Sequence, residues 1–319
     1  MKTILLIACF LLFSSHARAQ PNISSELGRE PGAALRMGYG ARGLGMGNAL
    51  GALRSGELSA YYNPALVPFQ SFRSATASFG ILSLDRRMNF LSYGQALKPT
   101  GGIFFGIINA GVSEIDGRDV NGRHTEMYST SENAFMLSFG TQVSPSVSIG
   151  LTSKILYYSL YKDLSSTTVA FDLGLVYSVS DQLALSGIVQ DLNAKYTWDT
   201  STLFGRNGNT TTERFPLRRR IGVSFQPEYY GSTISAEYEF IGSTSFARVG
   251  VEIYPIPQLA LRAGVDQIDF QGTLATRPSF GFMLEPEFGF LSSYIHYAYV
   301  VEPYSPHNIH IISLTVGFK

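Results

Sequence analysis

Cysteine is nearly absent from this chain of 319 residues: the single thiol, Cys9, lies within an apolar leader. The leader has the form of a secretory signal, with Met1 and Lys2, an apolar core from Ile4 to Phe13, and Ala17-Arg18-Ala19 ahead of Gln20. That pattern places cleavage after Ala19. Leu6-Ile7-Ala8-Cys9 resembles a lipoprotein box, but the stretch ahead of the thiol is too short for a signal. The processed chain then has no thiol, which excludes disulfides and thiolate chemistry. Charge is scarce as well. Asp, Glu, Lys and Arg make up 15% of the residues, with 24 of each sign, against about 25% in ordinary soluble domains. This neutral balance offers no attraction to nucleic acid and calls for no acidic substrate. Beyond the leader there is no run of about 18 apolar residues, so no helix can span a bilayer. A chain that lies in lipid without such a helix must satisfy its backbone between strands that close on themselves.

Glycine and aromatic residues are abundant: 32 Gly, 18 Tyr and 22 Phe stand beside one Trp. Glycine relieves crowding where strands bend, and Tyr and Phe suit the girdles at the two membrane interfaces. From about Phe72 onward the chain alternates apolar and polar residues in segments parted by turn residues. Fourteen strands are expected, near 72–83, 87–98, 101–114, 132–143, 147–160, 166–179, 182–195, 214–226, 230–241, 244–254, 258–267, 277–285, 288–301 and 308–319. Turns on one side are short and mostly hold proline: Pro99, Pro145, Pro227, Pro255 with Pro257, and Pro286. The other side carries long polar loops at 116–131, 196–214 and 267–277. Tight periplasmic turns, long outer loops and an even strand number describe a transmembrane antiparallel β-barrel, all-β, with both termini on the periplasmic side. The expected organisation is a signal peptide at 1–19, an N-terminal plug segment at 20–70 and an outer-membrane barrel at 71–319.

The two faces of the strands agree with this. Leu259, Leu261, Ala263 and Val265 alternate with Arg262, Gly264 and Asp266. Val249, Val251 and Ile253 alternate with Arg248, Gly250 and Glu252, and Phe171, Leu173 and Leu175 with Asp172 and Gly174. The apolar set fits lipid, while a charge facing lipid costs roughly 2–4 kcal/mol at mid-membrane, so the charged set belongs in the lumen. Gln182-Leu183-Ala184-Leu185 and Gln258-Leu259-Ala260-Leu261 each open a strand directly after a short turn. At the C-terminus Ile312, Leu314, Val316 and Phe318 alternate in the form of the signal read by the barrel-assembly machinery, although Lys319 follows the final aromatic.

Ahead of the strands lies a different kind of sequence, with Gly38, Gly40 and Gly43 in the spacing of a dinucleotide fingerprint. That motif requires a βαβ unit and a downstream acid, neither of which is present, so no nucleotide cofactor is expected. Small residues instead suit a segment folded tightly within the barrel mouth, with Asn63-Pro64 as a turn closing a short helix around 51–60. The stretches GARGLGMGNALGAL from Gly40 and SAYYNPAL from Ser59, followed by fourteen strands, resemble the PorV/PorQ family and, more distantly, the FadL-like fatty-acid transporters. IDGRDVNG at 115–122, DLNAKYTWDT at 191–200 and RFPLRRRIGV at 214–223 add to the resemblance, which covers nearly the whole processed chain. It implies a fourteen-stranded barrel whose plug ends in an Asn-Pro-Ala turn, with Gly43, Gly45, Gly47, Tyr62, Asn63, Pro64 and Ala65 as the plug or hatch signature. Some members of that family belong to the type IX secretion system, where they handle cargo with a C-terminal sorting domain.

No catalytic constellation emerges. A barrel phospholipase needs a Ser-His pair oriented by a third group on the outer wall. The histidines of the processed chain are His124, His296, His307 and His310. His296, near the outer end of a strand with Ser292 and Ser293 close by, reads more simply as a girdle or lumen residue. His307 and His310 fall on opposite faces of an extended strand and make a poor metal pair. Asp116, Asp119 and Asn121 lack the terminal glutamate of a calcium loop. Arg218-Arg219-Arg220 sits where a strand enters the membrane. There it either meets lipopolysaccharide phosphates or simply snorkels to the interface. Lys154, Asp172, Glu237, Glu239, Arg248, Glu252, Arg262 and Asp266 alternate acid and base between neighbouring strands, which favours pairing with one another and with the plug over an open polar path. The expected function is therefore non-enzymatic: a PorV/PorQ-type barrel in protein secretion or surface assembly, or alternatively a FadL-like channel for hydrophobic small molecules. Its expected partners are outer-membrane lipid and lipopolysaccharide, the barrel-assembly machinery and, in the first case, secretion-system proteins or secreted cargo. No metal or other cofactor is expected.

Overall fold

Period-two patterning produces a closed wall. The computed structural model describes residues 26–57, 59–227, 231–272, 274–288 and 291–318, so the expected signal at 1–19 and the first residues of the expected plug lie outside it. Fourteen antiparallel strands form a barrel. They are β1 (Arg73–Ile81), β2 (Arg86–Leu97), β3 (Gly101–Val112), β4 (Ser131–Ser144), β5 (Val147–Tyr161), β6 (Leu164–Ser178) and β7 (Leu183–Leu192). The second half comprises β8 (Arg218–Phe225), β9 (Thr233–Ile241), β10 (Thr244–Ile256), β11 (Leu259–Ile268), β12 (Arg277–Leu284), β13 (Leu291–Val300) and β14 (Ile309–Phe318). Pairing of β1 with β14, from Arg73 opposite Phe318 to Ile81 opposite His310, closes the wall and brings its first and last residues to one rim. That rim also carries the proline turns. Strand ends differ from the sequence expectation by at most four residues, most at β8, which starts at Arg218 instead of 214.

The opposite rim carries the long connections, and two of these are more ordered than polar loops. Ile115–Arg118 pairs with His124–Tyr128 as one hairpin, and Lys195–Asp199 pairs with Thr210–Arg214 as another. The second hairpin is ordered by its own alternation, since Tyr196 and Trp198 are buried on one face while Thr197 and Lys195 lie on the other. Tyr196 packs edge-on against Phe215, with ring centroids 4.9 Å apart.

The outer face of the wall is apolar. Leu91, Phe105, Leu137, Leu151, Leu173, Ile221, Phe280 and Leu314 are all exposed there, as a lipid-facing surface requires. Ile312, Leu314 and Phe318 of the C-terminal signal share that face. The lumen is divided. On β2–β5, Met88, Phe90, Phe104, Ile108, Met136 and Leu156 form an apolar half that packs on Tyr39 and Tyr61 of the plug. On β8–β11, across the barrel, the inward positions are Arg218, Arg220, Glu237, Glu239, Arg248, Glu252, Arg262 and Asp266, all buried.

Candidate functional site: a plugged lumen

The plug runs from the loop rim down through the lumen and leaves at the proline rim to become β1. Its helical turn is Ala41–Gly45, not a helix around 51–60; the described residues of the latter stretch hold turns and bends. The last helical element of the plug, the 3-10 turn Pro64–Phe69, begins at Asn63 instead of ending there. Asn63 is extended (φ −161°) and its side chain accepts from Ala65 N at 2.9 Å, the capping role that a short polar side chain fills at a helix start. Pro64 follows at the first position, where its missing N–H costs nothing.

Two sets of strand glycines make room for the plug. Gly102 lies opposite Gly140, Gly140 opposite Gly150, and Gly150 opposite Gly174, so one row of four crosses β3 to β6 in register. The Asn63–Val67 turn rests on this row. A Cβ on Gly102 or Gly140 would stand 2.6 Å from the Val67 or Pro64 carbonyl oxygen, and Gly150 and Gly174 are as closely covered by Pro64, Ala65 and Asn63. Across the lumen, Gly250 and Gly264 are paired and face Met46 and Gly47. Gly47 itself has φ +60° and would bring a Cβ within 2.6 Å of Val265 N. Asn63 also donates to Gly51 O at 2.7 Å and to Leu175 O at 3.3 Å, so one buried side chain joins three parts of the lumen.

The charged half fixes the plug by ion pairs. Glu252 accepts Arg42 through Nη2 at 2.7 Å and Nε at 3.1 Å, and Arg262 Nε at 2.6 Å. Arg42 in turn donates to the carbonyls of Ser55 and Glu57, at 2.8 and 2.6 Å. Arg262 Nη1 donates to His296 Nδ1 at 3.1 Å, and His296 Nε2 lies 3.4 Å from Glu57. Glu57 Oε1 accepts from Thr76 at 2.8 Å and Thr315 at 3.1 Å. A second chain links Arg218 to Glu239, Glu239 to Arg248 and Arg248 to Asp266, at 2.6, 2.5 and 2.7 Å. It reaches the plug where Asn48 Nδ2 donates to Asp266 at 2.9 Å. Arg220 pairs with Glu237 at 3.2 Å and donates to Tyr62 O; Glu237 accepts from Gly51 N. On β5–β7, Lys154 contacts Asp172 at 2.6 Å and Asp191 at 2.5 Å. Buried pairs add little net stability because desolvation offsets their attraction, but an unpaired member is costly, so they specify one seating of the plug.

Each of the eight lumen charges read from the sequence faces inward and is paired. Of the plug signature, Gly43 is covered by the Tyr62 ring, Gly45 faces Gly281, whose Cα a Cβ on Gly45 would meet at 3.4 Å, and Gly47 lies on β11. Tyr62 places its hydroxyl 2.8 Å from Asn48 Oδ1. Arg42 and Glu57 were missed: one sits inside the glycine-rich motif as its only charge, and the other has no local signal. Asp191 was missed because the β6–β7 pairing shifts between Phe171 and Leu173, and Asp191 takes φ +66°. The bulge turns two successive residues, Gln190 and Asp191, inward. The arginine cluster does not gather at the outer interface: Arg218 and Arg220 are buried in the lumen, and Arg219 alone faces out. His296 lies in the lumen toward the proline rim, bonded to Arg262 and not to Ser292 or Ser293. Asp116 pairs with Arg118 and His124, each at 2.6 Å, while Asp119 accepts from the backbone of Asn121 and Arg123. Among the described residues no group of three His, Cys, Asp or Glu side chains could hold a metal.

Two cavities flank the plug. At the loop rim a space of about 560 Å³ lies between residues 27–37 and the ends of β8–β12. At the proline rim a smaller one of about 210 Å³ is lined by Glu57, Phe72, Tyr254, Tyr294 and His296. Arg42 and Arg262 form its upper wall.

No family model matches the chain, and no curated protein matches it. Solved structures do. The toluene transporter TbuX of Ralstonia pickettii shares 12% identity at a TM-score of 0.64, over 88% of this chain and 99% of that one. The Pseudomonas putida toluene transporter TodX shares 14% at 0.59, covering 88% and 96%. A Pseudomonas aeruginosa FadL homologue shares 11% at 0.59, covering 87% and 97%. The chain therefore has the fold of FadL-family outer-membrane barrels.

Proposed function

We propose that this chain is an outer-membrane uptake barrel that admits small amphiphilic molecules at the loop rim and holds them above a seated plug. The observation that carries this reading is the cavity of about 560 Å³ between the plug's first turns and the wall, a size typical of small-molecule sites. The likeness to toluene transporters and to a FadL homologue supports uptake over secretion, and tight turns at the proline rim suit the periplasmic side. The plug signature and the lumen pairs then act as the gate, with the lower cavity as the exit. The test is binding to the purified barrel in lipid nanodiscs, with benzyl alcohol and octanoate as probes. Ala33 lines the cavity, so Ala33→Trp should weaken binding by about 10-fold or more as it fills the space. If neither probe binds the unaltered protein, uptake is the wrong reading.

A second reading, PorV/PorQ-type service in secretion or surface assembly, is supported by the loop tips. Val120, Met127, Phe204 and Phe270 are exposed on the loop rim, where apolar side chains suit a protein partner such as cargo or a secretion component. Unchanged surface delivery of sorting-domain cargo after deletion of the gene would remove that role.

A further inference from the structure

The larger cavity is unevenly charged. Among its lining residues Arg218 and Arg248 are neutralised by Glu239 and Asp266, and Arg277 by Glu302 at 2.9 Å. Arg36 and Arg86 line the same space, and neither forms an ion pair among the described residues. The Arg36 guanidinium donates to the backbone carbonyls of Leu27, Glu30 and Pro31, at 3.1, 3.1 and 2.5 Å. The Arg86 guanidinium donates to Ser83 O, Ser83 Oγ and Ser305 Oγ, at 3.0, 3.2 and 3.2 Å. Uncharged oxygens satisfy donors without neutralising the charge; Asp191, Glu239 and Glu132 offset that of Arg36 only from farther off. A third donor, the buried Nε of Arg277, has no acceptor among the described residues. Leu27, Met37, Ile241 and Phe246 add an apolar stretch of wall.

An uncompensated charge in a partly desolvated space attracts an opposite one far more strongly than it would in water, and guanidinium groups match carboxylate and phosphate oxygens in pairs. We propose that the cavity binds a compact dianion: an apolar body of single-ring size carrying two acidic groups, one for each unmatched arginine. This rests on the reading of the cavity as the ligand chamber and names its ligand class. The occupant thus differs from a neutral hydrocarbon, which would leave both charges unmatched beside it.

Three probes of similar size separate the possibilities: ethylbenzene (neutral), benzoate (singly negative) and phthalate (doubly negative), titrated into the full barrel in nanodiscs. Phthalate should bind about 10-fold or more tightly than benzoate, and its affinity should fall with salt. Arg86→Gln should cut phthalate affinity by about 10-fold and benzoate affinity less. Glu302→Gln frees Arg277 and should tighten phthalate, a change of opposite sign that damage to the fold cannot produce. If benzoate or ethylbenzene binds as well as phthalate, the dianion is rejected and the uptake reading stands. If none of the three binds, both fall.

Discussion

Gly150 shows how single residues govern the plug. Its absent side chain is the space into which the Pro64 carbonyl and Ala65 N–H settle. A methyl group there meets backbone, which cannot rotate away, so overpacking should cost about 1–3 kcal/mol. Gly150→Ala should therefore lower the urea midpoint of the barrel. Gly187→Ala, with nothing within 4 Å, should leave it in place. Sequence reading recognised that glycine and Asn63-Pro64 mattered but assigned the turn the wrong direction. The cap lies in the orientation of one side chain toward Ala65 N, which residue identity alone does not reveal. Glu57 was invisible for a related reason: a lone acid in a stretch without alternation acquires meaning only from Thr76 and Thr315, which lie far along the chain.

Among the elements, the wall strands were legible because lipid on one side and a packed lumen on the other enforce strict alternation. The loop-rim hairpin at 115–128 was not, since water on most sides removes that pressure. The 115–128 hairpin is held by charge. The His124 ring and the Arg118 guanidinium hold the Asp116 carboxyl below its usual range, while Lys162 and the Tyr128 hydroxyl do the same for Glu126. The Tyr128 hydroxyl, beside Tyr161 and Glu126, is pushed up to about 12. A carboxylate whose pKa is depressed by folding contributes order above its unfolded pKa and loses it as pH falls through the folded value. Hydrogen-exchange protection across residues 115–128 should thus persist at neutral pH and fade below about pH 4. Asp116→Asn should flatten that dependence.

At the scale of the whole molecule, an apolar half-lumen and a charged half-lumen grip the plug from opposite sides. The apolar half gives adhesion, and the ion pairs give position. Glu252 is the hinge of this arrangement, because two guanidinium groups, one from the plug and one from the wall, depend on it. Glu252→Gln removes the ion-pair partner of both and should cost about 3–5 kcal/mol. Its readouts are a lower urea midpoint and cleavage of the plug by added protease, while Arg219→Gln, on the lipid face, should change neither. Sequence alone supplied the inward set but could not pair its members, since which acid meets which base depends on strand register and on the bulge at Asp191.

Glu57 carries a consequence for the wall itself. Thr76 belongs to the first strand and Thr315 to the last, and they touch each other at 2.9 Å across the line where the sheet is sewn shut. Ser78 and Ser313 repeat that stitch at 2.7 Å, and Ser313 also accepts from Ala41 N of the plug. The segment that fills the bore is thus also the thread of its seam. By reciprocity of coupled equilibria, a plug that leaves its seat loosens the join between first and last strands, and a strained join in turn favours release of the plug.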